Sequence, residues 1–207
     1  MRIVIIGAVA AGTSAAAKAR RNNEDAEIVI YEKDSFISYS GCGMPYYIGD
    51  EVESADQLIP RTPAFFKSKY NVDIHILHEV LSISPDIKSI TIKNMTTGDE
   101  FIDHYDKLVI ATGARAVVPP IKGADGPNVF TLRNINDMNR IKSHIDLTQP
   151  RAAVIIGTGF IGLEVCENLK RLGIEVTMLE KLSQVTPGLD ADMAIYVQDH
   201  IVKNGVS

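Results

Sequence analysis

The stretch Ala152-Ala-Val-Ile-Ile-Gly157-Thr-Gly-Phe-Ile-Gly162 runs from a β-branched segment directly into the pattern G-x-G-x-x-G. Between a strand and a helix, this pattern lets the backbone turn tightly, approach a pyrophosphate and pack the helix against the strand. Glu180 follows the next strand-like run, Glu175 to Leu179, and a carboxylate there accepts hydrogen bonds from a ribose. The sequence therefore predicts a dinucleotide site made by Gly157, Gly159, Phe160, Ile161, Gly162 and Glu180.

The N-terminus carries a second version of this arrangement. Arg2-Ile-Val-Ile-Ile-Gly7-Ala-Val-Ala-Ala-Gly12 precedes a helix-like segment, a strand-like run from Glu27 to Tyr31, and Glu32. Val9 replaces the middle glycine, which alters the closest approach of the backbone to a phosphate. We predict binding residues at Gly7, Val9, Ala10, Ala11, Gly12 and Glu32. Two such sites in one chain indicate an electron relay between a bound flavin and an exchanging nicotinamide.

The segment between the two glycine patterns repeats neither of them and instead contains short helix-like and strand-like runs. Thr62-Pro63 predicts the start of a short helix. An antiparallel meander is expected from four strand-like runs, namely 73–77, 79–83, 89–93 and 100–103. A buried strand from Lys107 to Ala111 follows, and the proline-rich stretch from Val118 to Pro127 predicts a linker between domains. A last helix is expected from Asp190 to Lys203.

Cys42 stands out because glycines flank it on both sides. Pro45 predicts a helix that starts just after it, where the helix dipole favours a thiolate. The alternative is a small buried residue, which is the usual fate of a free cysteine and the one we expect for Cys166. No second cysteine follows Cys42 at short spacing, so the thiolate must form a mixed disulfide with a small thiol or be oxidised to a sulfenic acid.

Composition excludes several classes of function. The net charge is −5 and charged residues make up 23%, so neither nucleic acid nor an anionic membrane is an expected partner. The apolar run from Ile3 to Ala19 is broken by glycines and is interpreted as strand, turn and helix rather than as a signal peptide. Only two cysteines are present and the histidines have no metal-ligand spacing, so no metal site is predicted and a cytoplasmic location is expected.

The chain resembles the single-cysteine branch of the flavin-dependent pyridine nucleotide–disulfide oxidoreductases, in particular coenzyme A-disulfide reductases and NADH-dependent persulfide reductases. The residues that carry this resemblance are the two glycine patterns, Tyr31-Glu32-Lys33, Ser38-Tyr-Ser-Gly-Cys-Gly-Met-Pro-Tyr-Tyr-Ile-Gly49 and Ala111-Thr-Gly113. In that family Val9 is the usual residue at its position. The expected fold is α/β: a Rossmann-like FAD-binding domain with an antiparallel meander at 1–118, then an incomplete Rossmann-like NAD(P)-binding domain at 119–207.

The resemblance also implies roles for particular residues. FAD would bind the first pattern, together with Glu32, Lys33, Ala111, Thr112 and Gly113, and NADH or NADPH would bind the second. Cys42 would lie beside the flavin ring and form a mixed disulfide with coenzyme A. The coenzyme A path would be lined by Ser14, Lys18, Arg21 and Ser38, although a solvated helix face explains the basic pair equally well.

Coenzyme and substrate choice follow from a few positions. Glu180 favours NADH, because its carboxylate repels a 2′-phosphate. The positive charge of Lys181 beside it weakens this preference. Relatives that reduce oxygen or peroxide carry a histidine where this chain has Ala10, which argues against an oxidase or peroxidase. That activity, and a non-catalytic nucleotide-binding or redox-sensing fragment, remain the alternatives. The resemblance further implies a longer parent protein, expected to be a homodimer.

Overall fold

The computed structural model describes residues 1–207. In chain order its strands and helices are β1 (Arg2–Ile6), α1 (Ala11–Asn22), β2 (Glu27–Tyr31), α2 (Met44–Ile48), α3 (Pro63–Tyr70), β3 (Asp73–His75), β4 (His78–Ser84), β5 (Ser89–Asn94), β6 (Glu100–His104), β7 (Lys107–Ile110), α4 (Ile135–Thr148), β8 (Ala152–Ile156), α5 (Phe160–Arg171), β9 (Glu175–Leu179) and α6 (Ala191–Lys203). None of these helices combines the length and the apolar character that a membrane span requires.

The chain divides into two compact units. The first comprises residues 1–40 and 58–115, and the second comprises residues 41–57 and 116–207. The short segment that contains Cys42 therefore packs with the second unit. The predicted cofactor domains, 1–118 and 119–207, stay a proposal.

The first unit is built on a parallel sheet of four strands in the order β3-β2-β1-β7. Its two central strands, β1 and β2, are rich in β-branched residues and almost wholly buried, as expected where both faces of a parallel sheet are covered. One face packs in a core that contains Ile5, Ile30 and Phe66. The other packs Val4 and Val29 against Ile90 and Ile92 of the antiparallel sheet β4-β5-β6. The α/β class with an antiparallel meander is confirmed.

One part of the predicted meander is wrong. The run 73–77 was expected to join it, but β3 lies parallel to β2 at the edge of the main sheet, with Val29 opposite Asp73. The reason is that α3 returns the chain to the same end of the sheet, as a parallel crossover requires. The turn that follows places Leu77 at φ +56°, and β4 starts directly after it.

The second unit contains the parallel pair β8 and β9, in which Ala152 lies opposite Glu175 and Ile156 opposite Leu179. Helix α5 connects the two strands, and the unit also contains α2, α4 and α6. Helix α4 is capped by Asn134, whose side-chain oxygen accepts a hydrogen bond of 2.9 Å from the Asp137 N–H. No motif in the sequence predicted this helix.

Candidate functional site: two nucleotide cradles and an exposed cysteine

The first cradle, residues 7–12, is a tight turn between β1 and α1. Gly7 has φ +101°, a conformation that only glycine adopts without strain. Its N–H donates a 2.8 Å hydrogen bond to the carbonyl of Tyr31. A Cβ on Gly12 would overlap the Gly7 carbonyl oxygen and lie 2.9 Å from the Gly7 carbonyl carbon. Helix and strand thus approach as closely as the glycine pattern predicts.

The turn after β7 lies against this cradle. The Ala111 N–H donates to the carbonyl of Ile6 at 2.8 Å. A Cβ on Gly7 would overlap the Ala111 carbonyl oxygen and lie 2.9 Å from the Ala111 carbonyl carbon. Thr112 and Gly113 continue the turn on the surface, with Gly113 at φ +68°. The structure therefore brings the first cradle and the Ala111–Gly113 turn together, as expected if both serve one cofactor.

Glu32 is the polar anchor of the first cradle. Its carboxylate, in a residue only 8% exposed, accepts one hydrogen bond on each oxygen, from the Ala8 N–H at 2.7 Å and the Asp34 N–H at 2.9 Å. Its backbone is bonded to His75 and His78, each at 2.9 Å. Because a carboxylate has about four acceptor positions, two remain for further donors.

The second cradle, residues 157–162, repeats the geometry of the first. Gly157 also has φ +101°, and its N–H donates to the Leu179 carbonyl at 2.8 Å. A Cβ on Gly162 would overlap the Gly157 carbonyl oxygen. A Cβ on Gly159 would meet nothing within 4 Å, so no protein atom excludes a side chain at the middle position of this cradle.

Both cradles open onto a helix that lacks a side-chain cap. Neither Ala10, at the start of α1, nor Gly159, at the start of α5, makes a side-chain capping hydrogen bond. The first N–H groups of a helix have no partner within it, and together with the helix dipole they favour an anion. Phe160 and Ile161 lie exposed on the first turn of α5.

Glu180 differs from Glu32 in how fully its carboxylate is engaged. One oxygen accepts from the Lys181 N–H at 2.8 Å and the Leu182 N–H at 3.0 Å. The other accepts from the N–H and hydroxyl of Thr158 at 3.0 and 2.8 Å. These donors, the Leu182 N–H foremost, lower the pKa of Glu180 to about 2. All four acceptor positions are filled, so a ribose hydroxyl must displace a donor.

Thr158 is a residue that the sequence analysis missed. It is buried, and its hydroxyl is the one side-chain donor on Glu180. The signal was available, since Thr158 is the variable residue between the first two glycines of the pattern. Only the geometry shows that it shares an acceptor with the expected ribose.

Cys42 lies exposed in a short 3-10 turn, Gly41–Gly43, immediately before α2. Pro45 occupies the first turn of α2, so the helix start that it predicts is present. Cys166 is buried on α5 at 3% exposure, as expected, and burial raises the pKa of its thiol. Of the two free thiols, Cys42 is therefore the one that an incoming molecule can reach. That Cys42 lies beside a flavin stays a prediction.

The whole sequence, residues 1–207, matches the family described as pyridine nucleotide-disulphide oxidoreductase. The chain belongs to this family. It is 38% identical over 200 residues to a coenzyme A disulfide reductase of Staphylococcus haemolyticus, covering 97% of this chain and 45% of the relative. It is 41% identical over 208 residues to an NADH oxidase of Methanocaldococcus jannaschii, covering 100% of this chain and 46% of the relative.

Among solved structures, an NAD-dependent persulfide reductase from A. fulgidus superposes with a TM-score of 0.95 at 39% identity. That match covers 100% of this chain and 38% of the other. The chain thus spans less than half the length of each of these relatives. The resemblance inferred from the sequence is confirmed at the level of the family.

The residues predicted to line a substrate path fall into two groups. Ser14, Lys18 and Arg21 lie exposed along α1, where spacings of three and four residues share one helix face. Ser38 is half-buried at φ +48°, and its N–H donates to the Ala8 carbonyl of the first cradle at 2.9 Å. Lys33 is exposed beside Glu32. Their roles in binding stay predictions.

Proposed function

We propose that the protein to which this chain belongs is an FAD- and NAD(P)H-dependent disulfide reductase that uses Cys42 as its single redox-active thiol. Its substrate class would be coenzyme A disulfide or a related persulfide. The observation that carries this proposal is the combination of two nucleotide cradles with one exposed cysteine at the start of a helix. The family supports a nicotinamide-dependent oxidoreductase, and the relatives named above include a coenzyme A disulfide reductase and a persulfide reductase.

The first cradle fits the phosphates and ribose of FAD. Gly7 and Gly12 leave no room for a Cβ, so the turn packs closely against the Ala111 backbone and the start of α1. The uncapped end of α1 offers N–H groups to phosphate, and Glu32 has two acceptor positions left for hydroxyls. When bound, the flavin supplies the chemistry that accepts two electrons from a nicotinamide and passes them to sulfur.

The second cradle fits the exchanging nicotinamide nucleotide. Gly157, Gly159 and Gly162 open onto α5, and Glu180 is held ionised at the end of β9. A carboxylate at this position favours a free ribose 2′-hydroxyl over a 2′-phosphate. We therefore assign NADH as the preferred coenzyme.

Cys42 would act by thiol–disulfide exchange. Its thiolate attacks one sulfur of the substrate disulfide, an S–S bond forms between Cys42 and that half, and the other half leaves as a thiolate. Two electrons derived from NAD(P)H and one proton then break the mixed disulfide, releasing the second half as a thiol and restoring the Cys42 thiolate. The thiolate released in the first step takes up a second proton from water, so each cycle converts one disulfide into two thiols.

Lys18 and Arg21 would bind the phosphates of coenzyme A. Both are exposed on α1, and guanidinium and ammonium groups form strong charge-assisted hydrogen bonds to phosphate. Ser14 precedes them on the same helix face, and Ser38 is bonded to the first cradle.

The test is Cys42→Ser in the full-length protein. We expect the flavin absorption near ~450 nm to stay, because the cradles are intact, while disulfide reduction is lost. Cys166→Ala is the matched control, since a buried thiol with raised pKa has no exchange role and its replacement should leave turnover unchanged. Unaltered turnover in Cys42→Ser would refute the mechanism.

An NADH oxidase is the second candidate, because the Methanocaldococcus jannaschii relative of that name is 41% identical to this chain. Cys42 would then cycle through a sulfenic acid. Ala10 argues against this reading for the reason given above. Consumption of oxygen or peroxide by the full-length enzyme, measured against reduction of coenzyme A disulfide, separates the two activities.

A further inference from the structure

Asn168 on α5 is a buried polar residue with an unsatisfied acceptor. It is 0% exposed, and its Nδ2 donates to the Glu164 carbonyl at 2.8 Å. Its Oδ1 is buried without a hydrogen-bond partner. A buried acceptor without a donor lowers stability, so Asn168 is not explained by the stability of α5 alone.

Gly49, which ends α2, lies against this side chain. A Cβ on Gly49 would overlap Asn168 Oδ1 and lie 2.7 Å from Asn168 Cβ and 2.8 Å from Asn168 Cγ. The backbone of Gly49, with φ −87° and ψ 11°, suits any residue. Glycine is therefore required here for space and not for conformation, and that space is taken by Asn168.

Two ion pairs flank this contact. Asp50 lies 2.9 Å from the Lys142 ammonium of α4, and Glu51 pairs with Arg171 of α5. Burial opposes the charge of Lys142, but the carboxylates of Asp146 and Asp50 outweigh it and raise the Lys142 pKa. Each pair has at least one exposed partner and contributes little by itself, whereas the contact between Asn168 and Gly49 leaves no room even for a Cβ.

We propose that Asn168 is a positioning residue that fixes α2, and with it the turn carrying Cys42, onto α5. Its importance for turnover rests on the function proposed for Cys42. Because Gly159 of the second cradle is the N-cap of α5, the same helix would position both the second cradle and the segment that carries Cys42.

Hydrogen exchange tests this placement without relying on activity. In Asn168→Ala, the amides of residues 44–52, which include the Gly49 N–H bonded to Pro45 and the Glu51 N–H bonded to Tyr46, should exchange about tenfold faster. Exchange in β9 should stay unchanged. Asn204→Ala is the matched control, because Asn204 Nδ2 also donates at 2.8 Å to the carbonyl four residues earlier, but from an exposed position. Unaltered exchange of residues 44–52, or an equal effect of Asn204→Ala, would overturn the proposal.

A spin label on Cys42 gives a second readout, and buried Cys166 does not compete for the label. The mobility of the spin label on Cys42 should rise in Asn168→Ala and in Gly49→Ala. It should not rise in Gly188→Ala, where a Cβ meets nothing within 4 Å. Alanine at position 168 removes Oδ1 and Cγ from the overlap. In the double variant Gly49→Ala/Asn168→Ala, the rise in label mobility should therefore be smaller than the two single effects combined. Independent effects of the two substitutions on label mobility would overturn the proposal. Failure of the proposed function would show separately, as turnover retained in Cys42→Ser.

Discussion

Gly7 and Gly157 form a matched pair in which backbone strain can be separated from steric contact. Both have φ +101° and both donate to a strand carbonyl at 2.8 Å. A Cβ on Gly157 meets nothing within 4 Å, whereas a Cβ on Gly7 would overlap the carbonyl of Ala111. Alanine at the two positions therefore imposes the same strain but a different contact.

The expected cost follows from those two contributions. A positive φ costs an alanine roughly 1–2 kcal/mol, and we expect Gly157→Ala to destabilise its unit by about that amount. Forcing a methyl group against Ala111 adds roughly 1–3 kcal/mol more. We therefore expect Gly7→Ala to destabilise the first unit by about 2–5 kcal/mol.

Native-state hydrogen exchange measures each unit separately, from the amides of β1 for Gly7→Ala and of β8 for Gly157→Ala. The visible spectrum then reports whether Gly7→Ala also loses flavin. Equal losses of opening free energy in the two variants would show that the Ala111 turn does not press on the first cradle. A larger loss in Gly157→Ala would contradict the reasoning altogether.

Three further predictions concern hydrogen-bonded side chains. Tyr31→Phe removes the 2.7 Å bond from the Tyr31 hydroxyl to Asp103 and should lower the free energy of unfolding by about 1 kcal/mol, measured by urea denaturation. Thr158→Val removes one donor from Glu180 and should lower the dissociation constant for NADH severalfold, measured by fluorescence titration; weaker binding would contradict it. The pKa of Glu180 is lowered from 4.5 to about 2. Its ionised form therefore stabilises the second unit above pH 4.5, and this contribution disappears as the pH falls to 2. In an acid titration, the stabilities of Glu180→Gln and of the parent chain should converge near pH 2.

The sequence predicts the parallel strands well because several signals coincide there. The runs from Glu27 to Tyr31 and from Glu175 to Leu179 are β-branched, and a carboxylate follows each at the expected ribose position; β2 and β9 have the predicted bounds. Thr62 caps α3 as expected, accepting from the Phe65 N–H at 3.2 Å. Such local patterns require no knowledge of distant contacts.

Other features depend on contacts that no local pattern contains. The run from Asp73 to His75 has the composition of any short strand, and only its crossover through α3 makes it parallel. Asn168 is an ordinary helix residue in sequence, and its importance comes from Gly49, which is far away along the chain. The roles of Ser14, Lys18 and Arg21 depend on a ligand and stay predictions.

The two carboxylates differ in a way that bears on how each nucleotide would be held. Glu32 is fixed by two backbone N–H groups and by the backbone bonds to His75 and His78, and two of its acceptor positions are unfilled. A ligand that binds beside Glu32 requires little rearrangement of the protein, which suits a cofactor that stays bound. Glu180 is saturated by its own chain, so a ribose must first displace a donor such as the Thr158 hydroxyl. That exchange weakens binding, which suits a nucleotide that must leave after each cycle.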